Sequence, residues 1–138
     1  MNIFLACTKT KADKKCAAKD MYISDLFKKS YQYAEKLGGN IWILSAKYGL
    51  LSPGDIIAPY NQTLVGASKT ECKKWAYKVY CQMVDKQIDF EEEAVFLCGT
   101  NYRKYLITKF KKASAPLAHM GIGRQLKFYK ENNLNERQ

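Results

Sequence analysis

The sequence predicts a single α/β domain, with a small, mainly parallel sheet of three to four strands flanked by helices. Short apolar runs recur at Asn2–Cys7, Ile41–Ser45 and Ala94–Cys98 without the polar alternation of a half-solvated strand, as in a sheet covered on both faces. Segments of helical period separate these runs, and parallel strands need such crossovers. A length of 138 residues, 47% of them hydrophobic, suits one core.

The elements follow in order. NIFLAC, from Asn2 to Cys7, reads as a buried strand, and Thr8 to Met21 as a polar, lysine-rich loop. Ser24 is placed to cap the next helix, with Asp25 in its first turn. Leu26, Ser30, Ala34 and Leu37 form its stripe, Phe27 and Tyr31 flank it, and Gly38-Gly39 stops it. Ile41 to Ser45 is the second strand.

Leu44 to Leu64, LSAKYGLLSPGDIIAPYNQTL, then keeps neither period, yet it stays rich in apolar and aromatic residues. Long irregular segments inside compact domains tend to be functional or disordered, and this composition argues against disorder. It reads as an ordered, site-forming loop at the end of a buried strand.

Ser68 or Thr70 opens a helix whose core face carries Cys72, Trp75, Ala76, Val79, Tyr80 and Met83. The acidic run Glu91 to Glu93 precedes the third strand. Gly99-Thr100-Asn101 turns into a helix bearing Tyr102, Leu106 and Phe110. Pro116 breaks the pattern, and a last helix follows Gly121-Ile122-Gly123. Residues 1–130 form the domain, and 131–138 a polar tail expected to fray.

Lys+Arg is 23 against 13 Asp+Glu, a net charge of +10. Such a balance makes nucleic acid the leading partner, beside the plainer reading of solvated surface lysines. Lysines far outnumber arginines, which argues against base-edge reading by bidentate forks. No apolar run reaches the roughly 18 residues of a membrane span. The chain opens on a strand without a basic leader, so a cytosolic protein is expected. Cys7, Cys16, Cys72, Cys81 and Cys98 are odd in number, lack C-x-x-C spacing and accompany one histidine, His119. This argues for reduced thiols and no metal site, and no cofactor is implied.

In open α/β sheets, ligands sit beyond the carboxyl ends of the strands. All three strands end in a distinctive turn, Cys7 to Lys9, Ser45 to Gly49 and Gly99 to Tyr102, and parallel strands would bring these turns to one edge. In Cys7-Thr8-Lys9-Thr10-Lys11, Thr8, Lys9 and Lys11 suit an anion, and the lysines would favour a Cys7 thiolate nucleophile. The plain alternative is a buried strand-end thiol with solvated lysines. In Ser45-Ala46-Lys47-Tyr48-Gly49, Lys47 is a candidate charge clamp, while Tyr48 is open between base stacking, catalysis and core packing. Pro59-Tyr60-Asn61-Gln62-Thr63 offers an aromatic face and hydrogen-bonding groups at Tyr60 and Thr63, or an ordinary turn. Gly121, Gly123, Arg124 and Gln125 begin a helix, where backbone N–H groups favour phosphate. Tyr102 is a third candidate for stacking on a base.

These segments, in this order, resemble a family of small uncharacterised bacterial and phage proteins. Its pattern runs C-[ST]-K-x-K, [LM]-Y-x-S-x-L-F, L-S-A-K-[YH]-G-L-L-x-P, I-x-P-Y-[DN]-x-T-L, W-A, G-x-x-Y and P-L-x-x-[ML]-G-I-G-x-Q. This chain matches at Cys7 to Lys11, Met21 to Phe27, Leu44 to Pro53, Ile57 to Leu64, Trp75-Ala76, Gly99 to Tyr102 and Pro116 to Gln125. Asn61 stands where an aspartate is more usual, which argues against an acid/base role there. The Ser45-x-x-Tyr48-Gly49 loop followed by Pro59-Tyr60 is similar to the YaaA peroxide-stress family, whose members bind DNA. The Cys7-x-x-x-Lys11 and Tyr22 segments are similar, more faintly, to the core domain of archaeosine synthase, which acts on tRNA. Both resemblances imply a nucleic-acid connection.

The leading expectation is a nucleic-acid-associated protein that binds, and in one version modifies, DNA or RNA through a strand-end pocket. Lys9, Lys11, Lys47 and Arg124 would meet phosphates, and Tyr48, Tyr60 and Tyr102 would stack on or enclose a base. Two alternatives stay open. One is an enzyme acting on a small nucleotide or modified nucleobase, with chemistry at Cys7 or Tyr48. The other is an interaction module of a phage or mobile element, without catalysis.

Overall fold

The computed structural model describes residues 1–135. In chain order its elements are β1 (Asn2–Ala6), β2 (Cys16–Ala17), α1 (Ala18–Met21), α2 (Asp25–Leu37), β3 (Asn40–Ser45), β4 (Gly49–Leu51), β5 (Ile56–Ile57), α3 (Lys69–Asp85), β6 (Glu93–Leu97), α4 (Thr100–Arg103), β7 (Lys112–Ser114) and α5 (Ile122–Asn135). The sheet has five strands in the order β4-β3-β1-β6-β7, and β2 pairs with β5 apart from it. β1 runs parallel to both β3 and β6, with Ile3 level with Ile41 and Val95. β7 adds a parallel edge and β4 an antiparallel one.

The apolar runs form strands because both sheet faces are covered. Ile3, Leu5, Ile43 and Val95 pack with Phe27 and Ala34 of α2 and Tyr129 of α5. Phe4, Leu44 and Phe96 face the other way, against Trp75, Val79 and Met83 of α3 and Tyr102 of α4. Burial of that kind contributes roughly 1.5–3 kcal/mol per large side chain. The ends of α2 are as expected. The Ser24 hydroxyl accepts from Phe27 N at 3.2 Å, and Gly38 leaves the helix at φ 81°. Ser68, the earlier of the two expected starts, opens α3 in a reciprocal capping box with Glu71.

The strand order places the site. The chain leaves β1, crosses through α2 to β3, then returns through α3 to β6 on the other side of β1. The winding therefore reverses between β1 and β6. Their following segments diverge there and leave a crevice beyond the carboxyl ends.

Several boundaries differ from the sequence reading, each because a partner decides the local structure. β4 and β7 have three residues each, too short for periodicity to register, and raise the strand count to five. The two apparent loops hold β2 and β5, which pair with each other. The helix after Gly99 lasts only through Arg103, and a 3-10 turn at Ile107–Lys109 carries the chain on to Phe110. α5 does not fray at Glu131. It continues to Asn135, and buried Asn133 donates from Nδ2 to the Lys29 carbonyl and Gln32 Oε1 of α2, both at 3.3 Å. Residues 136–138 of the expected tail lie outside the described residues. Among the described residues, no helix is long and apolar enough to cross a membrane.

Gly49 joins β3 to β4 at φ 78°, and a Cβ there would lie 2.1 Å from Gln82 Oε1. Gln82 cannot yield freely, because Oε1 accepts from Leu50 N at 2.8 Å and Nε2 donates to the Tyr48 carbonyl at 3.0 Å. Gly49→Ala is expected to lose about 3 kcal/mol, combining left-handed strain with displaced hydrogen bonds. Gly38→Ala, at φ 81° with nothing within 4 Å, isolates the backbone part and should lose about 1 kcal/mol. Denaturant midpoints measure both, and equal losses would contradict the role given to Gln82.

Candidate functional site

Beyond the ends of β1 and β6 lie two adjoining chambers of about 470 and 550 Å³, sharing Cys7, Thr8, Val65 and Tyr102 as walls. Either volume suits a small ligand. The first chamber is mainly apolar. Ala6 and Leu97 form its floor, Leu26 and Phe27 of α2 one side, and Ile122 and Tyr129 of α5 another. Its polar groups include Thr100, Asn101 and Gln125. The second chamber holds Lys9 and Lys11 opposite Asn61, Gln62 and Thr63. Among the described residues, neither wall includes a carboxylate.

Tyr102 divides the two. Its hydroxyl accepts from the Cys7 thiol at 3.3 Å and from Leu64 N at 3.2 Å. Asn101 Nδ2 donates to the Leu64 carbonyl at 2.7 Å, so the turn after β6 holds both peptide groups of Leu64. That grip puts Thr63 and Val65 on the chamber walls. Burial, with Cys7 beside it, pushes the Tyr102 hydroxyl well above the usual tyrosine range. Tyr102 therefore stays protonated at neutral pH and does not serve Cys7 as a base. Burial likewise pushes the Cys98 thiol up to about 12, against the opposing pull of Arg103, so this thiol is not ionised at neutral pH.

The cationic wall has its own supports. Thr8 Oγ1 accepts from the Ser24 hydroxyl at 3.0 Å, which ties the site to the α2 cap. Lys11 Nζ stands 4.6 Å above the Tyr60 ring and donates to the Lys9 carbonyl at 3.3 Å. Thr63 Oγ1 accepts from Val65 N at 3.0 Å, which shapes the facing turn.

Of the expected site residues, Cys7, Thr8, Lys9, Lys11, Thr63, Tyr102 and Gln125 line the chambers. The other seven line neither. Ser45 is fully buried and its hydroxyl is committed. It donates to Tyr60 Oη at 2.8 Å and accepts from Lys47 N and Tyr48 N at 3.2 and 3.0 Å. Lys47 is exposed with its Nζ 5.3 Å from the Tyr48 ring centroid, and its carbonyl receives Lys78 Nζ at 2.9 Å. Tyr48 packs edge-on against Tyr60, centroids 5.6 Å apart, and is half-buried against the core. Gly121, Gly123 and Arg124 are exposed away from the chamber walls, because only Ile122 and Gln125 of that first turn face inward. Tyr60 is a partial case. Its ring supports Lys11, while its buried hydroxyl lies 2.6 Å from Tyr22 Oη. The sequence reading missed Gln62, Val65 and the α2 wall. Ser30, a lone polar residue in an apolar helix stripe, was the available signal, and it lines the first chamber.

The fold and crevice define an α/β domain with a ligand-sized cleft at its topological switch point. Residues 3–131 match a family of unknown function (DUF6884), and the chain belongs to that family. It is also similar to an uncharacterised protein, YfjM, of Bacillus subtilis (strain 168), 32% identical over 113 residues, or 79% of this chain and 75% of that protein. The expected membership of an uncharacterised family thereby holds.

The buried hydroxyls make stability depend on alkaline pH. Burial raises Tyr22 to about 12 and Tyr60 and Tyr129 further, against about 10 in the unfolded chain. The unfolded state then releases protons first as pH rises, so stability is complete below pH 10 and falls above it. Equilibrium denaturation should give a plateau to about pH 9 and a decline beyond it. Tyr60→Phe should cost about 1–3 kcal/mol at pH 7 by stranding Ser45 and Tyr22, and should flatten the decline. A variant as stable as the parent, with the same alkaline slope, contradicts this assignment.

Proposed function

We propose that the protein is nucleic-acid-associated and takes one nucleotide unit of DNA or RNA into the paired chambers. The base enters the apolar chamber and a phosphate meets Thr8, Lys9 and Lys11 in the second. The observation that carries this reading is the joining of an apolar chamber to a cationic one, without a carboxylate among the described residues, across the Cys7–Tyr102 contact. Asn101 and Gln125 commit their amide nitrogens to the Leu64 and Met120 carbonyls. Their oxygens are left to accept from a base edge. The net charge of +10 supplies the sequence-independent attraction for flanking phosphates. The base is enclosed rather than stacked on open rings, since Tyr60 and Tyr102 are buried. The resemblances to the YaaA and archaeosine synthase families support the same class of partner.

A second reading, an enzyme for a free nucleotide or modified nucleobase, is favoured by the enclosure of a single unit. Cys7 is then the group placed at the reacting atoms. It lacks an adjacent base among the described residues, which limits a nucleophilic role.

A salt titration of single-stranded oligonucleotide binding separates the readings. The parent should bind at about 50 mM salt, and Lys9→Ala with Lys11→Ala should reduce the log–log slope by about 1.4, two phosphate contacts at about 0.7 each. Thermal stabilisation by a mononucleotide without oligonucleotide binding transfers the site to the second reading. Absence of both overturns the two together.

A further inference from the structure

We infer that the outer face of α3 is a separate grip for single-stranded nucleic acid, with bases laid on tyrosine rings and phosphates held by lysines. A shallow groove of about 160 Å³ runs there between Lys73, Ala76, Tyr77 and Tyr80 of α3 and Tyr105 and Lys109 of the segment after α4. It shares no lining residue with the chambers, so it is a different surface. Residues 73, 77 and 80 recur at helical spacing, on a stripe beside the core face of Cys72, Trp75 and Val79.

Two observations set this face apart from an ordinary solvated helix face. Tyr77 is 70% exposed, an aromatic ring in water with no structural role in the core. Around the rings the ammonium groups converge. Lys73 and Lys104 stand 5.6 and 5.5 Å from the Tyr105 centroid, and Lys109 stands 5.0 Å from that of Tyr80. Among the described residues, no carboxylate lines the groove. Among the described residues the only side-chain ion pair is Lys111 with Glu91, so the lysines of the groove are uncompensated.

One exposed ring, Tyr77, beside two half-buried rings capped by ammonium groups, Tyr80 and Tyr105, matches the chemistry of a strand whose bases are free to stack. Every base has a π-face, and lysine holds phosphate as a point charge, so the grip is tolerant of sequence. The occupant is single-stranded, because a duplex hides its base faces. As bases settle on the rings, the ammonium groups exchange ring faces for phosphates, which keeps their charge engaged throughout.

The test uses the full chain and a short fluorescent oligothymidylate at about 50 mM salt. Tyr77→Ala should weaken binding by about fivefold or more, while Tyr77→Phe, which keeps the ring, should stay within about twofold. Lys73→Gln with Lys109→Gln should lower the log–log salt slope by about 1.4. All these variants should keep the parent's thermal shift with a mononucleotide, which reads the chambers. Oligothymidylate affinity unchanged in Tyr77→Ala and in the lysine pair overturns the groove, as does a parent that does not bind the strand. Mononucleotide binding absent while the groove variants still weaken strand binding overturns the chamber reading and leaves the groove standing.

Discussion

The Ser45 hydroxyl is the joint on which the candidate site hangs. It ends the strand beside the centre of the sheet, fully buried, and gathers Lys47 N, Tyr48 N and Tyr60 Oη around one oxygen. Tyr60 passes the chain of hydroxyls on to Tyr22, and the Ser45 carbonyl receives Trp75 Nε1 at 2.9 Å. Each bond contributes about 1 kcal/mol net, but stranding a buried partner costs about 1–3 kcal/mol, so the cluster is kept whole or lost together. It pulls the end of the long segment onto the sheet edge. Tyr102 and Asn101 then fasten Leu64, and the residues between these two anchors become the wall facing Lys9 and Lys11.

The buried tyrosines and the exposed Tyr77 have different physical tasks. Tyr22, Tyr60, Tyr102 and Tyr129 are buried and held protonated, so they supply packing and hydrogen bonds rather than proton transfer. Tyr77 presents its ring to solvent among lysines. The lysines follow the same division. Lys11 is braced over a ring at the wall of a chamber and is half-buried, so its charge is less screened than on an open surface.

The fold was legible because the chain writes its central strands as uninterrupted apolar runs, which only a doubly covered sheet permits. β2, β4, β5 and β7 were not legible, since two or three residues carry no period and owe their form to a partner. For the site, the rule of carboxyl ends worked at Cys7 to Lys11 and at Gly99 to Tyr102, which follow the central pair β1 and β6. It failed at Ser45 to Tyr48 for a geometric reason. β4 doubles back antiparallel along β3, so that turn closes on the core instead of opening on the crevice. Gly121 to Gln125 is a helix start rather than a strand end, and of its expected site residues only Gln125 lines a chamber, because a helix turn shows a cavity only one of its faces.

Central to the account is a single ligand site spanning both chambers, with Cys7 at their junction. Mass-spectrometric rates of thiol alkylation test this directly, because exposed Cys81 on α3 is an internal reference. A saturating mononucleotide should slow modification of Cys7 and leave Cys81 unchanged. A Cys7 rate that does not change under that ligand would contradict a nucleotide site at the junction.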